Sequence, residues 1–294
     1  MEKKSDFMGK KKYFKPLIIS AIVIGALSAM MLNPEVANSP GFTPLIPIDS
    51  LGLQFLYFFT WIWVGAIIGI FFSYLLAPLF LYIHKLVIGP KMTYGIQEVR
   101  DPNPDKFKGI FKGFFPALMA LNFAIIFSIT TVVKNLIFSS DNTADMDSPV
   151  GAVLGVVILL ALTSGIAMAL FSPVWLLIDS GIVYSNQKKL EKKKLPIEVR
   201  SVGGWYLFIL KGYAGISVIF AFYSIVSEYM TVESENFGGI IFFVLLPIII
   251  SLFMLPSIII FDKTSEHRKK YILKFATKYG IINNVQVSFE VIEK

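Results

Sequence analysis

Long apolar runs alternate along the chain with short polar stretches that hold most of its charge. Six runs stand out, at 15–32, 53–83, 110–133, 150–178, 205–227 and 239–261. About 20 helical residues cross a hydrocarbon core about 30 Å thick, so each run predicts a membrane-spanning helix. The second and fourth are longer than a perpendicular crossing needs and predict a helix that tilts, kinks or extends beyond the bilayer. The first has the basic start and short apolar core of a secretory signal. Its start matches two later positions in the chain, described below, so it is expected to be retained.

Composition agrees with this pattern. Of 294 residues, 55% are hydrophobic and 16% charged, and the mean hydropathy is +0.69. That balance excludes a disordered chain and argues strongly against a soluble enzyme. There is no cysteine, which removes disulfides, thiolate catalysis and cysteine-based metal sites.

Charge then sets an orientation. With the N-terminus inside and six crossings, the inner segments are 1–16, 84–112, 179–211 and 262–294. They hold 26 of the 27 lysines and arginines but only 12 of the 20 acids, while the outer loops hold Lys134 and eight acids. Basic residues gather on the cytosolic side of membrane proteins, so both termini are expected in the cytosol. The net charge of +7 follows from topology and carries no implication of nucleic acid. The inner face is expected to attract anionic lipid headgroups, most densely at Lys188–Lys194.

Three signals recur in one order. Phe14-Lys15-Pro16, Phe111-Lys112-Gly113 and Leu210-Lys211-Gly212 open the odd spans. Pro78, Pro173 and Pro256 lie near the inner ends of the even spans. The pairs Glu98-Val99, Glu198-Val199 and Glu290-Val291 follow. The expected fold is therefore an all-α polytopic membrane protein whose six transmembrane helices form three helical hairpins in a parallel pseudo-threefold repeat. A small cytosolic part contains short β-strands. The repeats are 1–100, 101–200 and 201–294, together one integral membrane domain. Mitochondrial carriers share the repeat length, but their Pro-x-acid-x-x-base signature on odd helices is missing here. The segment 264–279 is basic, with Tyr271, Ile272, Phe275 and Tyr279 at helical spacing, and predicts an interfacial amphipathic helix ended by Gly280. The alternation Val285, Val287, Phe289 and Val291 predicts a strand. The three Glu-Val pieces are expected to pair into a small sheet.

Candidate chemistry is sparse. No ionisable residue lies deep in any span, where one would mark function. Asn122 is the intramembrane polar group that most needs a partner, either across a helix interface or lining a pore. No phosphate loop, His-Glu-x-x-His or Gly-x-Ser-x-Gly motif occurs, so no catalytic residue and no cofactor is expected. Gly65 and Gly69, and Gly151 and Gly155, are spaced for close helix approach, whether within the chain or between copies. His84, Asp179 and Asp262 each stand six residues after a repeat proline. Together they are expected at the cytosolic mouth, as edge markers or as a gate or divalent-metal site. A carboxylate there meets the negative end of a helix dipole and needs compensation, for which Lys263, Arg100 and Arg200 are candidates.

Three functions compete. The repeat and the polar trio tip the reading toward a small-solute or ion transporter or channel. The missing catalytic residues and basic inner face suit a non-catalytic structural or scaffold subunit binding protein partners or anionic lipid, alone or as a homo- or hetero-oligomer. A lipid-modifying enzyme built on the trio is the third. The absence of cysteine and glycosylation sequons suits a prokaryotic plasma membrane.

Overall fold

The computed structural model describes residues 18, 22, 62–89, 92–97, 109–129, 149–186, 200–231 and 237–282. They are mostly helical. A helical segment α1 (Ile62–Phe71) is followed by α2 (Ser73–Val87), β1 (Met92–Ile96), α3 (Gly109–Ile129) and α4 (Pro149–Asp179). Then come β2 (Ile182–Asn186), β3 (Arg200–Ser201), α5 (Val202–Thr231), α6 (Phe237–Lys263) and α7 (Ser265–Lys278). Among the described residues three helices are long and apolar enough to cross a membrane, over Leu159–Asp179, Val202–Ile219 and Leu245–Lys263. A fourth is gained if α1 and α2 count as one span bent by 50°, and α3 adds a shorter apolar stretch, Phe111–Phe127. The expected span at 15–32 lies outside the described residues apart from Ile18 and Ile22.

The repeat prolines all sit inside helices, Pro78 in α2, Pro173 in α4 and Pro256 in α6. Each removes one backbone hydrogen bond and crowds the carbonyl four residues earlier. Apolar helices tolerate this where packing and local adjustment satisfy the freed groups. The 50° bend between α1 and α2 lies just before Tyr74, whose carbonyl Pro78 displaces.

Close contacts divide the chain into two compact units. The first draws on Met1–Ile68, Pro104–Ala167 and Tyr213–Ile259. Its tightest feature is the approach of α1 to α4. A Cβ at Gly65 would lie 2.0 Å from the Ala161 carbonyl oxygen, and one at Gly165 would lie 3.0 Å from the Gly65 oxygen. The Gly65 spacing therefore serves packing inside the chain. Asn122 is 5% exposed on α3, and its Nδ2 donates to the Tyr213 hydroxyl on α5 at 3.4 Å. Its polar group is met across a helix interface, as expected of a buried amide.

The second unit draws on Gly69–Asn103, Met168–Gly212 and Ile260–Lys294. It holds an antiparallel sheet in the order β1-β2-β3. Met92 pairs with Asn186 and Ile96 with Ile182, while Val183 and Tyr184 pair with Ser201 and Arg200. The Glu-Val pieces expected to form strands lie outside the described residues. The sheet is built from chain beside two of them, β1 ending at Ile96 and β3 beginning at Arg200, and from β2, which follows α4 directly. Gly181 makes that direct turn possible. Its φ of 69° is a left-handed conformation cheap only for glycine, and its N–H donates to the Ile178 carbonyl at 3.0 Å.

Ser201 links the sheet to α5, its Oγ accepting the Gly204 N–H at 3.1 Å as an N-cap. Gly203 lets α5 begin hard against the end of α4, since a Cβ there would meet the Ile178 nitrogen at 2.5 Å. That explains the glycine pair without any phosphate. α7 forms where its pattern predicts and ends at Gly280, φ 58°. The Gly280 N–H donates to the Thr277 carbonyl and the Ile281 N–H to the Ala276 carbonyl, at 3.1 and 2.9 Å. Together they make a Schellman motif. The stripe that α7 buries is Arg268, Ile272 and Ala276, whereas Tyr271 and Tyr279 are exposed.

Candidate functional site

The second unit contains His84, Asp179 and Asp262, and it gives them two different environments. His84 lies on the buried face of α2 with Ala77 and Leu81 and is fully enclosed. Its Nδ1 shares a hydrogen bond of 2.8 Å with the Tyr94 hydroxyl. Four aromatic rings surround it. Tyr184, Trp205 and Tyr94 meet it edge to face at centroid distances of 4.6, 5.3 and 5.7 Å, and Tyr206 stands at 6.1 Å. The rings come from three elements. Tyr94 and Tyr184 are a register pair across β1 and β2, and Trp205 and Tyr206 are on the first turns of α5. Tyr206 also donates its hydroxyl to the Phe80 carbonyl at 2.8 Å and stacks on the Phe80 ring. The His84 Nε2 is buried with no hydrogen-bond partner.

Burial and the neighbouring Tyr184 and Tyr206 push the Tyr94 phenol well above its ordinary pKa, so it stays protonated. A Cβ at Gly89 would approach the same hydroxyl to 2.9 Å, so the turn after α2 closes over it. Histidine, three tyrosines and a tryptophan thus form a filled aromatic cluster that ties α2, the sheet and α5 together.

The two aspartates belong to a second cluster, centred on Arg268 of α7. This arginine is 1% exposed. Its Nη2 donates to the Phe261 carbonyl and the Thr264 hydroxyl, and the guanidinium lies 3.8 Å from the Phe261 ring centroid. Phe261 is in turn edge to face with Trp175 at 5.5 Å. Burial pushes the Arg268 pKa down, and Tyr74, Asp179 and Asp262 oppose the shift electrostatically. A buried cation needs such counter-charges, because leaving it uncompensated is expensive. Asp179 ends α4 and Asp262 lies in the last turn of α6. Arg268 therefore supplies compensation that the helix dipoles withhold from both carboxylates.

Sequence reasoning placed that compensation on Lys263, Arg100 and Arg200 and did not single out Arg268 within the basic interfacial helix. The signal was present, since Arg268 stands four residues before Ile272 and eight before Ala276, in line with the packed stripe. The aromatic cluster was missed because its members are far apart in the chain. Among the described residues, no group of three or more His, Asp or Glu side chains is gathered closely enough to hold a metal ion. His84 is packed among rings, whereas Asp179 and Asp262 act electrostatically on Arg268.

No protein-family model, curated protein sequence or solved structure matches this chain. Functional argument rests on the geometry. These two clusters place no activated nucleophile beside a base, and His84 Nε2 and Arg268 Nε and Nη1 are buried without hydrogen-bond partners.

Proposed function

We propose that this is a multi-pass protein of a prokaryotic plasma membrane, with cytosolic termini, acting as a non-catalytic structural subunit. Its second unit would be a rigid inner platform for partners. The observation that carries this reading is the double use of the polar trio in internal packing. His84 is sealed among aromatic rings, and Asp179 and Asp262 act electrostatically on a buried arginine. Side chains so engaged have no obvious freedom to gate a pore or bind a passing ion.

Six crossings in three parallel hairpins remain our reading of the topology. The charge distribution supports it, with 26 of 27 basic residues in segments assigned inside.

The chain has no cysteine, so single substitutions report topology cleanly. Ser140→Cys should label on intact cells, and Gln187→Cys only after permeabilisation. Flux into proteoliposomes is the decisive measurement. Ion and small-solute entry should equal that of empty vesicles, and reproducible flux that scales with protein content would replace the structural reading with transport.

A further inference from the structure

α2 and α7 pack side by side within the second unit. Tyr74 meets Tyr271 edge to face at 5.5 Å, and Lys85 Nζ donates to the Gly280 carbonyl at 3.1 Å. The contacts come in the same order on both helices, so the two run in the same direction over the length from Tyr74 to Lys85. Their outer faces are chemically opposite. α2 exposes Leu75, Leu79, Tyr82 and Leu86, with Leu75 67% and Leu86 63% open, at the three- and four-residue spacing of one apolar stripe. α7 exposes His267, Lys270, Lys274 and Lys278 at the same spacing, on the face opposite the buried Arg268, Ile272 and Ala276. Lys278 also lies 5.8 Å from the Tyr279 ring centroid. Glu266 is the acid in this helix.

A helix lined by lysines cannot lie in hydrocarbon, and an exposed leucine stripe is unfavourable in water. Both conditions are met at one depth, the headgroup layer, where apolar side chains reach acyl chains and lysines reach phosphate. The 50° bend ahead of α2 turns it away from the direction of α1. We propose that α2 and α7 form a paired interfacial platform that binds anionic phospholipid headgroups through the lysine stripe of α7. The segment Ile62–Val87 is then not a single bent crossing along its whole length. This inference rests on the membrane-embedded reading above but not on the absence of transport.

The test is native mass spectrometry of the full chain after exchange into mixed phosphatidylglycerol and phosphatidylcholine. Wild type should retain phosphatidylglycerol well above its share in the mixture. The variant carrying Lys270→Gln, Lys274→Gln and Lys278→Gln should lose that enrichment, by up to roughly fivefold per lysine at low salt. A charge-matched control carries Lys3→Gln, Lys4→Gln and Lys294→Gln, which lie outside α7 and outside the dense patch at Lys188–Lys194. Retained enrichment in this control supports the site on α7, and equal loss in both variants would mean bulk charge and overturn it. Enrichment unchanged by the α7 substitutions, or absent from wild type, also overturns it. Millimolar inorganic phosphate should leave the enrichment intact, and its abolition would reassign the stripe to free phosphate. A protein that fractionates with membranes yet shows no enrichment fails this inference alone.

Discussion

Replacing Gly65 with alanine tests whether its glycine spacing packs helices within one chain. The added Cβ would stand 2.0 Å from the Ala161 carbonyl oxygen and 2.8 Å from its carbonyl carbon, where ordinary contact begins at 3.4 Å. The shortfall at the oxygen is about 1.4 Å, and the obstacle is helix backbone, which cannot rotate aside. Overpacking of this kind costs about 1–3 kcal/mol, and a backbone obstacle points to the upper end. Alanine recovers about 1 kcal/mol of helix propensity over glycine, leaving roughly 2 kcal/mol of net destabilisation. At about 2–4 °C per kcal/mol for a chain of this size, Tm should fall by roughly 4–8 °C. Gly212→Ala is the control, because nothing lies within 4 Å of a Cβ there, and its Tm should hold or rise slightly. Tryptophan fluorescence on heating in mild detergent reads Tm, and light scattering reads the assembled mass. A Gly65→Ala protein that melts with wild type, or one whose mass changes without a fall in Tm, would refute the argument and make the motif a contact between copies.

Three further substitutions probe the second unit. Arg268→Met and Asp179→Asn should be non-additive in a double-mutant cycle on unfolding, with a coupling of about 0.5–3 kcal/mol, and a coupling indistinguishable from zero would separate the aspartate from the arginine. Tyr94→Phe removes the hydroxyl bonded to His84 Nδ1 and leaves both ring nitrogens buried without partners, costing about 1–3 kcal/mol. Equal stability of that variant in chemical denaturation would show that the bond contributes nothing. Gly280→Ala meets no steric obstacle but forces a left-handed residue, so it should lose about 1–2 kcal/mol. Hydrogen exchange should then quicken at the end of α7, and unchanged protection there would remove the Schellman motif from the account.

Hydropathy and periodicity carried the helices into view before any coordinates. α3, α4, α5 and α6 lie where long apolar runs predicted helices, because the length and polarity of a helix are properties of one segment, and α4, α5 and α6 are long and apolar enough to cross a membrane. The placement of α7 and its stop at Gly280 were equally local, set by side chains three and four residues apart and by one glycine. The sheet was half legible. Alternation announces strands, but β2 is a five-residue piece, partly β-branched and aromatic, fused to α4, and its partner β1 is chosen across about 90 residues. Local pattern cannot choose such partners.

The polar residues show the limit most clearly. His84, Asp179 and Asp262 could be singled out because polar groups are conspicuous at the end of an apolar run, and Asn122 because an amide inside one needs a partner. Their roles could not be assigned, because a role depends on which group stands opposite. Folding set a guanidinium from α7 within electrostatic reach of the two aspartates and placed four aromatic rings around the histidine. Burial is a property of packed neighbours, so an arginine that the pattern of a basic helix does not set apart became, in the folded chain, a buried charge within the electrostatic reach of both aspartates.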